Sequence, residues 1–148
     1  MVDPARALQA DLWREIPLSA AMGVTVVEAG HDGVSLQAPL ALNGNHQATA
    51  FGGSLYAIAV LAGWALLRLR LAEQGLSPPV LIQAGHIHYL RPLADDLRAC
   101  CRLTDERAFE RFIHTFRRRG RARIALDTEV ADDGGAAARF CGKYVIHP

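Results

Sequence analysis

Cysteine is sparse, with three residues in 148, two of them the neighbours Cys100 and Cys101. Such a set makes neither a disulfide framework nor the paired spacing of a zinc site, so all three are expected as buried or half-buried thiols and no metal or other cofactor is expected. A surplus of charge is also missing. The formal charge of +1 gives no electrostatic case for general nucleic-acid binding. Lysine is nearly absent: almost all basic residues are arginine, and Arg117, Arg118, Arg119, Arg121 and Arg123 fall close together. The amino terminus lacks the basic-then-apolar order of a signal peptide, and the apolar run from Leu55 to Leu67 is too short for a membrane span. A cytoplasmic protein without a membrane partner is the expectation. No repeat, linker or low-complexity segment stands out. With 51% hydrophobic and 21% charged residues, disorder is excluded and a single domain with a real core is expected over residues 1–148.

What is present is patterned. Asp3-Pro4 caps and starts a helix whose Leu8, Leu12 and Ile16 share a face, and Pro17 is expected to interrupt it, giving a helical segment over residues 1–22 ahead of a core over 23–148. Val24 to Glu28 is β-branched, and Val34, Leu36 and Ala38 alternate with Ser35 and Gln37, which predicts a hairpin through Gly30 to Gly33. After the apolar run, Gly75 and Pro78-Pro79 stop the helix, and Val80 to Leu90 reads as a strand ended by Arg91-Pro92. Leu97, Ala99, Cys101 and Leu103 alternate. Phe109, Phe112, Ile113 and Phe116 have helical spacing, so Glu106 to Arg119 is expected as a short helix. Ile124, Leu126, Thr128 and Val130 then alternate, and a turn at Asp132 to Gly135 leads to a last strand near Ala138 to Ile146.

The stretch Asn43 to Ser54 is the most informative. A polar loop carrying Asn43, Asn45, His46 and Thr49 runs through Phe51-Gly52-Gly53 into Leu55–Leu67, which has no charge and reads as a helix buried on every side. The first amides of a helix cannot bond within it, and its dipole is positive there. Paired glycines let another group approach that backbone closely. A carbonyl oxygen gaining negative charge is stabilised at such a place. Among the loop side chains, His46 is the one that exchanges protons near neutral pH, as general base work requires.

One apolar helix set among antiparallel-type strands needs a curved sheet wrapped around it, an α+β arrangement of hotdog type. The motifs Ile16-Pro17-Leu18 with Met22-Gly23-Val24, Asn45-His46 with Thr49, Phe51-Gly52-Gly53-Ser54-Leu55-Tyr56, and His86-Ile87-His88-Tyr89-Leu90-Arg91-Pro92 resemble the bacterial thioesterase family named after the carboxy-terminal domain of YiiD-type proteins. The resemblance implies a hotdog fold, a dimer or dimer of dimers, and hydrolysis of an acyl thioester of coenzyme A or acyl carrier protein. It puts the Gly53 amide against the thioester carbonyl. It also implies that the strand carrying His86 and His88 pairs with its copy, so that these histidines reach the neighbouring loop. The helix carboxylate of the phenylacetate-type branch falls on Val60 or Leu61 here, and neither can act as base or nucleophile.

The residues left to the chemistry are His46, Asn45, Gly53 and Ser54, with Asn43, Thr49, Phe51, Gly52, Tyr56, His86, His88 and Arg118 as candidate substrate contacts. Each has a plainer reading. Ser54 is equally a helix cap, Asn43 and Thr49 shape the loop, Tyr56 and Trp64 pack, and His86 and His88 form a polar pair at an interface. Arg117 to Arg119 and Arg121 bind the phosphates of coenzyme A or a carrier protein's acidic surface, or form a solvated face. A zinc site from His46, His86 and His88 lacks a carboxylate at ligand spacing. Besides hydrolysis, two other activities fit the groove: a hydratase or dehydratase of enoyl thioesters, against which the lack of any Asp or Glu between Asp32 and Glu73 counts, and a non-catalytic acyl-thioester-binding module.

Overall fold

The computed structural model describes residues 2–148. Helix α1 (Pro4–Glu15) starts where the Asp3 carboxylate accepts the Ala5 amide, and it buries Leu8 and Leu12. Pro17 does more than interrupt it: with its own amide hydrogen absent, it opens a second short helix, α2 (Pro17–Ala21). The hairpin follows as β1 (Thr25–Ala29) and β2 (Gly33–Ala38). A four-residue helix, α3 (Leu40–Asn43), precedes the loop and has no periodic signal in the sequence. Then come α4 (Gly52–Glu73), β3 (Val80–Tyr89), β4 (Leu97–Arg102), α5 (Glu106–Arg119), β5 (Ala122–Asp132) and β6 (Gly135–Ile146). The short-helix reading of Glu106 to Arg119 is correct, because Phe109, Phe112 and Ile113 bury one face.

The six strands form one antiparallel sheet in the order β1-β2-β4-β5-β6-β3. It wraps α4, whose Ile58, Ala59, Ala62, Ala65 and Leu66 are inaccessible to solvent. This is the expected hotdog arrangement. Helix α4 is longer than its apolar run: its 22 residues pass a membrane span by length and composition, yet 67% of the apolar window is buried inside the fold. The sheet therefore takes the surface a bilayer would take. Burial is not complete on every side, since Tyr56, Ala57 and Val60, one helical face, are only half covered. Gly63 marks the tightest contact: the Tyr144 hydroxyl donates to the Val60 carbonyl at 2.8 Å, and a Cβ on Gly63 would lie 2.1 Å from that oxygen.

Two charged contacts tie the ends together. The Arg70 guanidinium is buried, donates to both Glu106 oxygens at 3.0 and 2.8 Å, and lies 4.4 Å over the Phe109 ring. It joins the end of α4 to the start of α5 and holds the Glu106 carboxyl below its usual range. Arg91 grips the β5–β6 turn through Asp132 and the Gly135 carbonyl, the turn-anchoring role open to an arginine before proline. One expectation for the thiols fails. Cys101 is buried, which pushes its thiol up to about 11, and Cys100 is half-buried, but Cys141 is exposed because the outward register of β6 carries it.

The sheet has two unlike edges. At β1, the Gln9 side chain accepts the Val26 amide at 3.0 Å and Trp13 donates to the Val24 carbonyl at 2.7 Å, so α1 blunts that edge. At β3, the other edge, all nine residues of the strand after Val80 are not buried, Leu81, Ile82 and Tyr89 among them.

The Gly63 contact yields a prediction. Alanine gains about 1 kcal/mol in helix propensity, less than an overpacking cost of about 1–3 kcal/mol added to a lost hydrogen bond of about 1 kcal/mol. Gly63→Ala is expected to lower stability by about 1–3 kcal/mol in urea unfolding; an unchanged or higher midpoint contradicts the packing account.

Candidate active site

The loop between α3 and α4 is shaped from inside. Asn43 is buried, and its amide donates to the carbonyls of Met22 and Pro39, each at 2.9 Å, while its own carbonyl takes the Phe51 amide at 2.7 Å. Both amide hydrogens are thus spent on framework, and Asn43 is a loop anchor. Asn45 closes the turn beyond it. Its oxygen accepts the amides of Gln47 and Thr49 at 2.8 and 3.1 Å, and its nitrogen donates to the Thr49 hydroxyl at 2.8 Å. One Asn45 hydrogen stays available, because a side-chain amide carries two. The turn is tight enough to hold Ala48 at a φ of 59°. His46 rides on its outside, exposed.

The chain then enters α4 through Phe51, which occupies the cap position. Ser54 is therefore no cap but the third helical residue. The Phe51 carbonyl accepts the amides of Ser54 at 2.9 Å and Leu55 at 3.1 Å, which leaves the Gly52 and Gly53 N–H groups outside the helical ladder at the positive end of the dipole. Glycine at 53 lets the Phe51 ring lie where it does: a Cβ there would be 2.4 Å from that ring and would push it aside. At 52 a Cβ would make only ordinary contact with the Tyr89 ring, at 3.4 Å, and the Tyr89 hydroxyl donates to the Gly52 carbonyl at 2.9 Å. Tyr56 stacks edge-on against Phe140, with ring centroids 5.0 Å apart, and its hydroxyl fills the space over Gly85.

Around these amides lies an apolar ledge rather than a closed pocket. Phe51 is 56% and Tyr89 53% exposed, and the half-covered α4 face of Tyr56, Ala57 and Val60 continues from them. The ledge ends at the open edge of β3. Two grooves, of about 1040 and 600 Å³, are lined by no residue of the loop. Neither groove runs beside the start of α4.

The remaining candidates lie elsewhere. His86 and His88 do share a face, with their Nε2 atoms 3.1 Å apart. It is the outer face, however: they pair with Cys141 and Arg139, whose side chains point away from α4. The residues of β3 that face the helix are Val80 and Ile82 before the irregularity at Gln83, and Gly85, Ile87 and Tyr89 after it. Tyr89 is the residue that sequence reasoning missed, and Gly85, a glycine within a strand, was the signal for close approach on that face. Arg118 is exposed in the last turn of α5 and does not line the nearby groove. Val60 and Leu61 bring no carboxylate to the ledge. Among the described residues no group of three or more His, Cys, Asp and Glu is placed to hold a metal.

Comparison with known proteins gives a consistent picture. The model of a family described as putative thioesterase, YiiD carboxy-terminal, matches residues 5–148. A solved protein of unknown function from Chlorobaculum tepidum TLS is 31% identical with a TM-score of 0.92, over 97% of this chain and 93% of that one. A putative thioesterase from Shewanella oneidensis is 28% identical with a TM-score of 0.88, over 100% of both chains. A thioesterase from Haemophilus influenzae, 13% identical with a TM-score of 0.74 over 99% of this chain and 93% of that one, shares the fold.

If the Gly53 amide is the working donor, crowding it must disturb the site more than the fold. The Phe51 ring is exposed and can swing aside, so Gly53→Ala is expected to change stability by about 1 kcal/mol or less. It is also expected to weaken acyl-thioester binding at least tenfold by displacing the ring across the amide. Unaltered affinity in a titration contradicts that placement.

Proposed function

Because the chain belongs to the putative thioesterase family of the YiiD carboxy-terminal domain, we propose that it is an acyl thioesterase acting on thioesters of coenzyme A or acyl carrier protein. The observation that carries this reading is the pair of amides at Gly52 and Gly53 outside the helical ladder, set against an apolar ledge and following directly on the loop that carries His46. The thioester carbonyl oxygen accepts from Gly53 N–H, and the acyl chain lies along Phe51, Tyr56 and Val60. Water held by His46, with the spare Asn45 hydrogen on its oxygen, attacks the carbonyl carbon. His46 takes the proton of the water and the amide stabilises the tetrahedral oxyanion. When the C–S bond breaks, the electron pair leaves with sulfur, and His46 returns the proton to give the free thiol and the carboxylic acid.

The same geometry supports a homodimer, or a dimer of dimers, as the working form in the cytoplasm. A ten-residue edge strand with exposed Leu81, Ile82 and Tyr89 suits pairing with a second copy better than solvent. Such pairing would place a second wall beside the ledge. The second reading, a binding module without chemistry, rests on the lack of a carboxylate at Val60 and Leu61.

The test is release of free thiol from short, medium, long and aromatic acyl thioesters by the wild type and by His46→Ala. Removal of a general base is expected to cut turnover about 10²–10⁴-fold while an exposed loop side chain costs about 0.5 kcal/mol of stability or less. Saturable binding without turnover by the wild type would favour the binding module; an unfolded His46→Ala would withdraw the catalytic assignment.

A further inference from the structure

We infer that two copies of the chain, paired through β3, hold a zinc ion between four imidazoles, His86 and His88 of each copy. This rests on the homodimer reading and makes it more specific, since it sets the register of the pairing and adds a ligand to it. It does not depend on hydrolysis.

One copy carries half of such a site. His86 and His88, two apart on β3, leave the outer face of the sheet side by side. Both are exposed, their rings meet edge-on with centroids 4.7 Å apart, and their Nε2 atoms are 3.1 Å apart. Zinc binds imidazole nitrogen at about 2.0–2.1 Å in a tetrahedron, which sets two ligand nitrogens about 3.4 Å from each other. The pair therefore has to open by only about 0.3 Å to share an ion. Without metal the contact is one hydrogen bond, with one Nε2 donating and the other accepting. No third ligand comes from the same copy: among the described residues no group of three or more His, Cys, Asp and Glu is placed to hold a metal. The other two nitrogens have to come from a second chain.

The open edge of β3 decides where that chain lies. Pairing of β3 with β6 is irregular between Ile82 and Ala84 and regular from Ala84 to Tyr89, and the Leu90 amide continues it by donating to the Ala137 carbonyl at 2.8 Å. Bonds alternate along an antiparallel strand. Since Leu90 bonds inward to β6, so do His88 and His86, and Gly85, Ile87 and Tyr89 turn their N–H and C=O groups to the open edge. An extra residue in a strand disrupts its ladder, so the usable edge is residues 84–90, centred on Ile87. A two-fold pairing about Ile87 uses all of it; moving the axis to His86 leaves only residues 84–88. The inner face agrees, because pairing about Ile87 sets Tyr89 opposite the second copy's Gly85, an aromatic ring across from a position without a side chain. On the outer face His86 then stands opposite the second copy's His88, and His88 opposite its His86. These are non-hydrogen-bonded pairs, the closer kind, with Cα atoms about 4.5 Å apart. Four imidazoles thus surround the two-fold axis, and the ion lies on it.

The ligand atoms select the ion. Imidazole nitrogen suits zinc, copper and nickel, whereas magnesium and calcium take oxygen. Among the first three, zinc takes a tetrahedron without resistance from its d electrons. In the outer groove beside the pair, Asp127 and Glu129 match the charges of Arg102 and Arg139, and Arg139 is held by Glu129 at 3.7 Å. The surroundings therefore neither attract nor repel a dication strongly, and the four nitrogens decide. A site with four protein ligands has no position open to water, and it lies across the sheet from the α4 amides. Its role is to clamp the dimer.

The test uses the full chain after metal is stripped with a chelator. Calorimetric titration with Zn²⁺ alone is expected to give one ion per two chains. Sedimentation is expected to show a dimer dissociation constant at least tenfold lower with Zn²⁺ than without. Co²⁺ in place of Zn²⁺ is expected to give the visible absorption of a tetrahedral site. The double variant His86→Ala/His88→Ala removes two exposed side chains and is expected to lose all three effects with an unchanged circular dichroism spectrum; if it unfolds, the wild-type stoichiometry and the Co²⁺ spectrum decide alone. A wild type that is dimeric but takes up no Zn²⁺ overturns the metal site and leaves the dimer reading standing. One ion per chain, or Zn²⁺ uptake retained in a folded double variant, overturns the shared site. A wild type that stays monomeric with and without Zn²⁺ overturns the site and the dimer reading together.

Discussion

Between Phe51 and Arg68 the chain has no charged residue, and the helix it forms has to be kept dry on almost every side. That requirement shapes the molecule. A flat sheet covers one face of a helix, so the six strands curl, and the inward residues of β2, β4, β5 and β6 become the core. Tyr144 and Gly63 show how close the approach is, with a phenol hydroxyl bonded to the helix backbone where a methyl group would not fit. The reactive chemistry follows from the same constraint. The helix must emerge from the sheet somewhere, and where it does its first amides are unpaired, flanked by the exposed aromatic residues Phe51 and Tyr89.

The second constraint is asymmetry at the edges. Helix α1 spends Gln9 and Trp13 on the backbone of the β1 side, and nothing comparable protects β3. The face of α4 nearest that open edge is also the least covered, and Tyr89 of the same strand bonds the Gly52 carbonyl. These features are consistent with half a site, awaiting a wall that a second copy of the chain would provide.

Most of the fold was legible because its signals are periodic. The uncharged run, the alternation in the strands and the phenylalanines of α5 each carry a period that burial enforces. The structure departed from expectation where local chemistry decides: Pro17 starts a helix, a single turn forms over Leu40–Asn43, and Cys141 faces solvent through strand register. The site was legible in composition and not in orientation. The sequence marked Gly52, Gly53 and His46 as neighbours of a helix start, but not that Asn43 and Asn45 would spend their amides on the turn or that Ser54 would fall inside the helix. On β3 the conspicuous histidines drew attention to the outer face, while the less conspicuous Tyr89 reaches the helix. Within the last arginine run, Arg118 was singled out, yet Arg119 lines the groove, because a helix turns about 100° between neighbours.

The account stands or falls on where the thioester carbonyl sits. A crystal structure of the protein with a non-hydrolysable ketone analogue of an acyl-coenzyme A would show this directly. The predicted result is the carbonyl oxygen within hydrogen-bond distance of the Gly53 amide, with His46 on the face from which water attacks. An acyl group seated instead in the outer groove near His86, His88 and Cys141, with the amides of α4 unvisited, would contradict it.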